Sequence, residues 1–275
     1  MNANFPGALL GALSIGVSVV GVAAAPQYVL IDLGSEEVAG AGLVWQIPQY
    51  QLAPPNWPSS GGTQCTGGTS GGYIWARYPL SNIAVGDTCE PVRGSQAAKW
   101  IVNGGSATLT DLGRLPGALT DENGPFSVAY GFNNTGDIVG QSQSSSPTYA
   151  NGCTSCVALH GFIYNNGSWT DLVPIAGAQF ESVANSVNDS HEVVGWTNTA
   201  ATTTGVILNR AFVYTGGMMY NLTFYLVGGP TALLTNAYAI DCEGDIAAIG
   251  TPAAGGTIHN YLLVRQGAPR TNCPP

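Results

Sequence analysis

The sequence predicts an all-β fold assembled from about four four-stranded antiparallel units. Three observations lead there: one pattern repeated at nearly constant spacing, a turn-rich composition with few charges, and no run of helical periodicity. The clearest copies run from Ser127-Val128-Ala129 through Asn133 to Ile138-Val139-Gly140, and from Ser182-Val183-Ala184 through Asn188 to Val193-Val194-Gly195. A third runs from Asn236-Ala237 through Asp241 to Ile246-Ala247-Ala248, and a degraded fourth ends at Ala84-Val85-Gly86. Gly86, Gly140 and Gly195 lie 54 and 55 residues apart, and Ala248 follows 53 later. Such regularity in a Gly-rich chain marks stacked or radially arranged β units.

At 275 residues the chain is long enough for one large β domain with a full core. Its 38 Gly and 17 Pro make turns frequent, while only 8% of residues are charged. A net charge of −9 with seven basic residues argues against nucleic acid, whose phosphates need clustered Lys and Arg. Anionic membranes are disfavoured on the same ground.

In chain order, residues 1–24 come first. From about Phe5 to Ala24 they are apolar and small and end in Val22-Ala23-Ala24, which suits an export signal cleaved before Ala25. The run also approaches membrane-spanning length, the alternative reading. Residues 25–275 then read as a single domain. Tyr28 to Gly34 matches the segment around Thr110-Asp111-Leu112-Gly113, the second strand of a unit. Its missing first strand lies at the other end of the chain, in His259-Asn260-Tyr261-Leu262-Leu263. Pairing of the two termini would close a ring and leave no long open edge.

A loop insertion follows at about 35–72. The second unit has strands at Ala98–Val102 and Leu109–Leu112, then at Ser127 and Asp137. In the third, His160-Gly161-Phe162-Ile163-Tyr164 turns through Asn165-Asn166-Gly167 into Trp169–Leu172. Ser182 to Asn188 and Glu192 to Thr197 complete it. The fourth has Arg210–Tyr214, Tyr220–Leu222, and the Asn236 and Asp245 strands. Four antiparallel strands per unit and about four units describe a β-propeller, with a β-solenoid or a two-sheet sandwich as alternatives.

The start His160-Gly161-Phe162, the Thr-Asp-Leu-Gly segment, the Ser-x-Ala-x-x-x-Asn strand and the Val-Val-Gly ending resemble the extracellular HAF-repeat proteins. The resemblance covers roughly residues 97–263 and part of 28–34. Only His160 and His259 keep the histidine; Ala98 and Arg210 replace it elsewhere. The resemblance implies an exported β-repeat protein and supplies no catalytic residue or cofactor.

The turns within hairpins are short, as at Asn134-Thr135-Gly136 and Glu243-Gly244, whereas second-to-third-strand and unit-to-unit connections are long. In an up-and-down unit the long connections share one face, where function usually sits. Loop positions then sort the six cysteines, which export would oxidise. Cys65 and Cys89 fall on the long-loop face, Cys153 and Cys156 share a loop, and Cys242 and Cys273 reach the short-turn face. The expected pairs are Cys65–Cys89, Cys153–Cys156 and Cys242–Cys273. The first and third would each stabilise by about 3 kcal/mol. A redox or metal role for Cys153-Thr154-Ser155-Cys156 lacks a second such motif and a thioredoxin-like context.

Candidate chemistry is sparse. Gly68-Thr69-Ser70-Gly71-Gly72 fits a nucleophile elbow only in spelling, because it lies in a low-complexity loop. His160, His191 and His259 lack metal-ligand spacing, so the sequence implies no metal. Asp32, Asp111 and Asp171 recur at one repeat position, which favours a structural hydrogen bond. The turns at Asn188–Glu192 and Asp241–Asp245 lack the alternating acids of a calcium loop.

Sequons at Asn133, Asn166, Asn188 and Asn221 are glycan acceptors only in a eukaryotic secretory host. The strongest binding signal is aromatic residues assigned to the long-loop face, Trp45, Tyr50, Trp57, Tyr149 and Trp196, which can stack on sugars or anchor a protein. Glu36, Glu37, Asp87, Glu90, Asp121, Glu122 and Glu181 lie in or near that face, where a pair could act as glycosidase acid and base.

The expectation is therefore a secreted or cell-surface module, with the periplasm also open. It would bind a glycan or an extracellular protein, without nucleic acid, cofactor or membrane contact after signal cleavage. A secreted carbohydrate-active enzyme and a structural matrix component are the alternatives.

Overall fold

The computed structural model of the chain describes residues 25–35, 71–77, 81–90, 94–103, 106–121, 124–148, 156–199 and 207–267. These residues form four four-stranded antiparallel sheets. Sheet I runs β2 (Gly71–Arg77), β3 (Ile83–Glu90), β4 (Gly94–Asn103) and β5 (Ser106–Gly113). Sheet II holds β6 (Ser127–Phe132), β7 (Ile138–Pro147), β8 (Val157–Asn165) and β9 (Ser168–Leu172). Sheet III holds β10 (Ser182–Val187), β11 (Val193–Thr199), β12 (Leu208–Thr215) and β13 (Met218–Asn221). Sheet IV is ordered β14 (Ala232–Ile240), β15 (Ile246–Pro252), β16 (His259–Arg265) and, last, β1 (Tyr28–Ser35). The first strand of the chain thus pairs with the last, from Tyr28 opposite Arg265 to Ser35 opposite His259.

The phase of the repeat differs from expectation. β8 and β9 complete sheet II, while β10 and β11 begin sheet III, so the segment 173–181 crosses between sheets. The crossing is anchored to its destination: Ile175 N donates to Thr197 Oγ1 (3.1 Å) and Glu181 N to Asn198 Oδ1 (2.9 Å). Between sheets I and II, Leu115 N likewise donates to Ser142 Oγ and Phe126 N to Gln143 Oε1. The long fourth-to-first connections instead join neighbours in one sheet, because β11 and β12 pair without a break from Val193/Tyr214 to Thr199/Leu208.

Local chemistry explains the tight hairpins. The β8–β9 turn needs two residues at positive φ, supplied by Asn166 (φ 47) and Gly167 (φ 87). Serine begins the first strand of sheets II and III because its hydroxyl ties that strand to the preceding sheet or crossing. Ser127 Oγ donates to Gly113 O (2.5 Å) and accepts from Ala97 N (2.8 Å). Ser182 Oγ donates to Leu172 O (2.6 Å) and accepts from Gly161 N (2.9 Å). The recurring aspartates are structural in two sheets. Asp171 meets His160 Nδ1 at 2.8 Å, and Asp32 meets His259 Nδ1 at 2.8 Å. His160 and His259 therefore sit on third-position strands against carboxylates.

Each first strand carries a β-bulge, at Ile74/Ala76, Ala129/Gly131 and Ala184/Ser186, and β14 carries two, at Leu234/Asn236 and Ala237/Ala239. The extra bulge changes which residue of sheet IV continues the glycine series. Gly140 faces Ala129 and Gly195 faces Ala184, each just outside a bulge, and the residue so placed in sheet IV is Gly250, facing Leu234. Gly140, Gly195 and Gly250 are spaced by 55 and 55 residues. Ala248, the expected fourth member, lies between the bulges opposite Ala237.

Apolar side chains from facing sheets form the core. Ala76, Val85, Phe132 and Phe162 join sheets I and II. Val139, Leu172, Val187 and Phe212 join II and III, and Val194, Val213, Leu234, Tyr261 and Tyr28 join III and IV. No free cysteine occurs among the described residues. Cys242 occupies the β14–β15 turn as expected, whereas Cys89 lies within β3 rather than a loop. Cys65, Cys153 and Cys273, and with them all three pairings, lie outside the described residues, as do residues 1–24.

Candidate ligand-binding site

The turn between the first two strands of a sheet is built the same way three times. Asn133 Oδ1 accepts from Asp137 N, Asn188 Oδ1 from Glu192 N and Asp241 Oδ1 from Asp245 N, at 2.8 to 3.0 Å. One side-chain oxygen thereby closes each turn, an Asx-type device. Asparagine leaves an amide to spare. Asn133 Nδ2 donates to Asn188 O (2.9 Å) in the next sheet, and Asn188 Nδ2 to Asp241 O (3.0 Å) in the one after. Both asparagines are buried.

Further contacts join the same turns. Asn134 donates through N and Nδ2 to the two carboxylate oxygens of Asp189, both at 2.8 Å. His191, at φ 61 in a position where the neighbouring turns have Gly136 and Gly244, reaches back to Asp137 Oδ2 (2.5 Å). Arg265, at the end of β16, crosses over Gly244 to Glu192 Oε1 (2.5 Å).

These turns surround one pocket of about 490 Å³. Phe132, Val187 and Ile240, equivalent residues of sheets II, III and IV, supply apolar lining; Asn133 and Asn188 add amides. Asn134, Asp189 and Cys242 sit one position further along, and Ser81 and Asn82 come from the β2–β3 connection. All four sheets thus contribute residues from the connection between their first two strands. Among the described residues no Lys, Arg or His lines the pocket.

The carboxylates around it differ in state. Burial alone would raise Asp137, but hydrogen bonds from Asn165, Asn133 and His191 outweigh it and hold the group below the ordinary aspartate range. Asp241 goes the other way. Burial raises it and the charge of Asp245 adds to the effect, against the backbone N–H groups that lower it. A raised folded-state value contributes stability that is present below the unfolded value and is lost as pH rises through the folded one. Asp241→Asn is therefore expected to raise the melting temperature at pH 7. The gain should shrink towards pH 3, as melting followed by circular dichroism at both pH values would reveal.

Of the aromatic residues expected to bind ligand, Trp196 belongs to β11, paired with Val183 and Ala211, and is half-buried rather than on a loop. Trp45, Tyr50, Trp57 and Tyr149 lie outside the described residues, as do Glu36, Glu37 and Glu122. Asp87 is buried, and each of its oxygens is engaged, by Trp75 Nε1 (2.7 Å) and Ser95 Oγ (2.6 Å). Burial raises Asp87 despite those bonds, and raises Glu181 despite the nearby His160.

Among the described residues no group of three or more His, Cys, Asp or Glu side chains could hold a metal, and no helix is long and apolar enough to cross a membrane. The pocket residues escaped sequence reasoning because Asn133 and Asn188 read as turn formers. Their recurrence at one repeat position was the available signal. The chain matches no protein-family model, no curated protein and no solved structure.

Proposed function

We propose that this chain is an exported, non-catalytic β-propeller module that binds a neutral glycan through the pocket at its short-turn face. The observation that carries the reading is that pocket, to which every sheet contributes its first hairpin turn. A propeller places such turns around one axis, and the pairing of β1 with β16 suits a ring fastened at its termini. Apolar lining beside amides suits the C–H face and hydroxyls of a sugar. Because Asp189 is an ionisable lining group and no cation lines the pocket among the described residues, an anionic ligand is disfavoured. Export by the 1–24 signal, pairing of Cys65–Cys89, Cys153–Cys156 and Cys242–Cys273, and kinship with the HAF-repeat proteins belong to the same proposal.

A glycan array probed with the purified chain tests it. Neutral glycans should be retained, and Asn134→Arg, which brings a cation to an exposed rim position, should weaken retention at least about tenfold, or about 1.4 kcal/mol. Trp57→Ala and Trp196→Ala should leave retention intact. If binding survives Asn134→Arg and fails with Trp57→Ala, the site is on the long-loop face. Product release in a parallel hydrolase panel would make the chain an enzyme.

A further inference from the structure

The four sequons are not equivalent once folded. Asn133 and Asn188 are buried at 4% and 5% exposure, and each Nδ2, the atom a glycan would occupy, donates to a carbonyl of the next sheet. In the third, Asn221 Oδ1 caps Thr223 N at 3.1 Å. The Thr223 hydroxyl that a transferase must read is 2% exposed and accepts from Leu234 N. Asn166 differs on every count. It is exposed at the tip of the β8–β9 hairpin, at φ 47, and is followed by exposed Ser168 as the third sequon residue. Among the described residues no hydrogen bond uses its carboxamide.

We propose that Asn166 is the single N-glycan acceptor of the folded protein when the chain passes through a secretory pathway carrying an oligosaccharyl transferase. Asn166 Nδ2 forms the bond to C1 of a lipid-diphosphate-linked oligosaccharide, the C1–O bond to the diphosphate breaks, and the amide proton goes to the transferase base. Transfer to Asn133 or Asn188 before these turns have folded would instead remove that chain from the secreted pool. The Nδ2 hydrogens that join neighbouring turns cannot coexist with a glycan in a buried site.

The test is secretion of the full chain behind a host leader, with glycopeptide mapping of the medium. This makes the outcome independent of residues 1–24 and of any ligand. The secreted protein should carry one glycan, at Asn166, which Asn166→Gln and Ser168→Ala both remove, Ser168→Ala without changing the melting temperature. A Thr135→Ala/Ser190→Ala variant keeps both buried asparagines but removes their sequons, and should be secreted in greater yield with Asn166 still occupied. A glycan on Asn133, Asn188 or Asn221 of secreted, folded protein would overturn the proposal. So would an unmodified Asn166 in the secreted double variant.

Discussion

Gly195→Ala is expected to abolish folding, at a cost of at least about 3 kcal/mol. The methyl group would be driven into the Val183 carbonyl oxygen, with Val183 C at 2.9 Å and Phe212 Cε1 at 3.1 Å closing the other approaches. None of these neighbours is the free end of a flexible side chain. Val183 O belongs to β10, and Phe212 is fully buried between sheets II and III. Relief would require β10 to part from β11. Gly140→Ala meets the same obstacle at Val128 and should behave alike. Gly216→Asn is the control: its φ is 59, nothing lies within 4 Å of an added Cβ, and asparagine tolerates that backbone. Urea unfolding should show the control near wild type and no cooperative transition for either alanine variant. A cooperative Gly195→Ala protein within about 1 kcal/mol of wild type would rule out the close approach.

Those glycines also show what the sequence could reveal. Their recurrence signalled equivalent strands, and the Asn166-Gly167 pair signalled its hairpin. The likeness of residues 28–34 to the segment around Asp111 led to the pairing of β1 with β16. The grouping of strands into sheets was not readable. The connections β7–β8 and β9–β10 are both long, and length alone does not say which stays within a sheet.

Sheet IV was misaligned for a related reason. Two bulges in β14 move the close-packed position from Ala248 to Gly250, and a bulge has no fixed residue signature outside its glycine-bearing forms. The sequence points to aromatic loops for binding because a flat aromatic in a loop is recognisable residue by residue. The pocket is lined instead by asparagines and aliphatic residues, each of which taken alone looks like a turn or a core position.

Asn188→Leu tests the construction of that pocket and should be the more revealing of the two variants. Leucine keeps the branched shape and heavy-atom count of asparagine but removes every polar contact of the side chain at once. Ser190 N and Glu192 N lose their acceptor, Asp241 O loses the donor that links sheets III and IV, and Glu192 Oε2 loses a partner at 3.0 Å. Glu192 is 3% exposed on its side chain and would keep Arg265 and Thr215 as partners on its other oxygen. Each buried group left unpaired costs about 1–3 kcal/mol, so a total of roughly 4 kcal/mol is expected after partial rescue by water. Asn188→Asp should cost less at pH 4 than at pH 7. Its oxygen can still close the turn, but an ionised carboxylate would face Glu192 across the gap, the same conflict that Asp241 has with Asp245. The pH dependence separates turn closure from the inter-sheet bond, since leucine lacks both and protonated aspartate keeps the first. Equal losses for the two variants at pH 4, measured by urea midpoint, would assign the stability to the amide bridge between sheets alone.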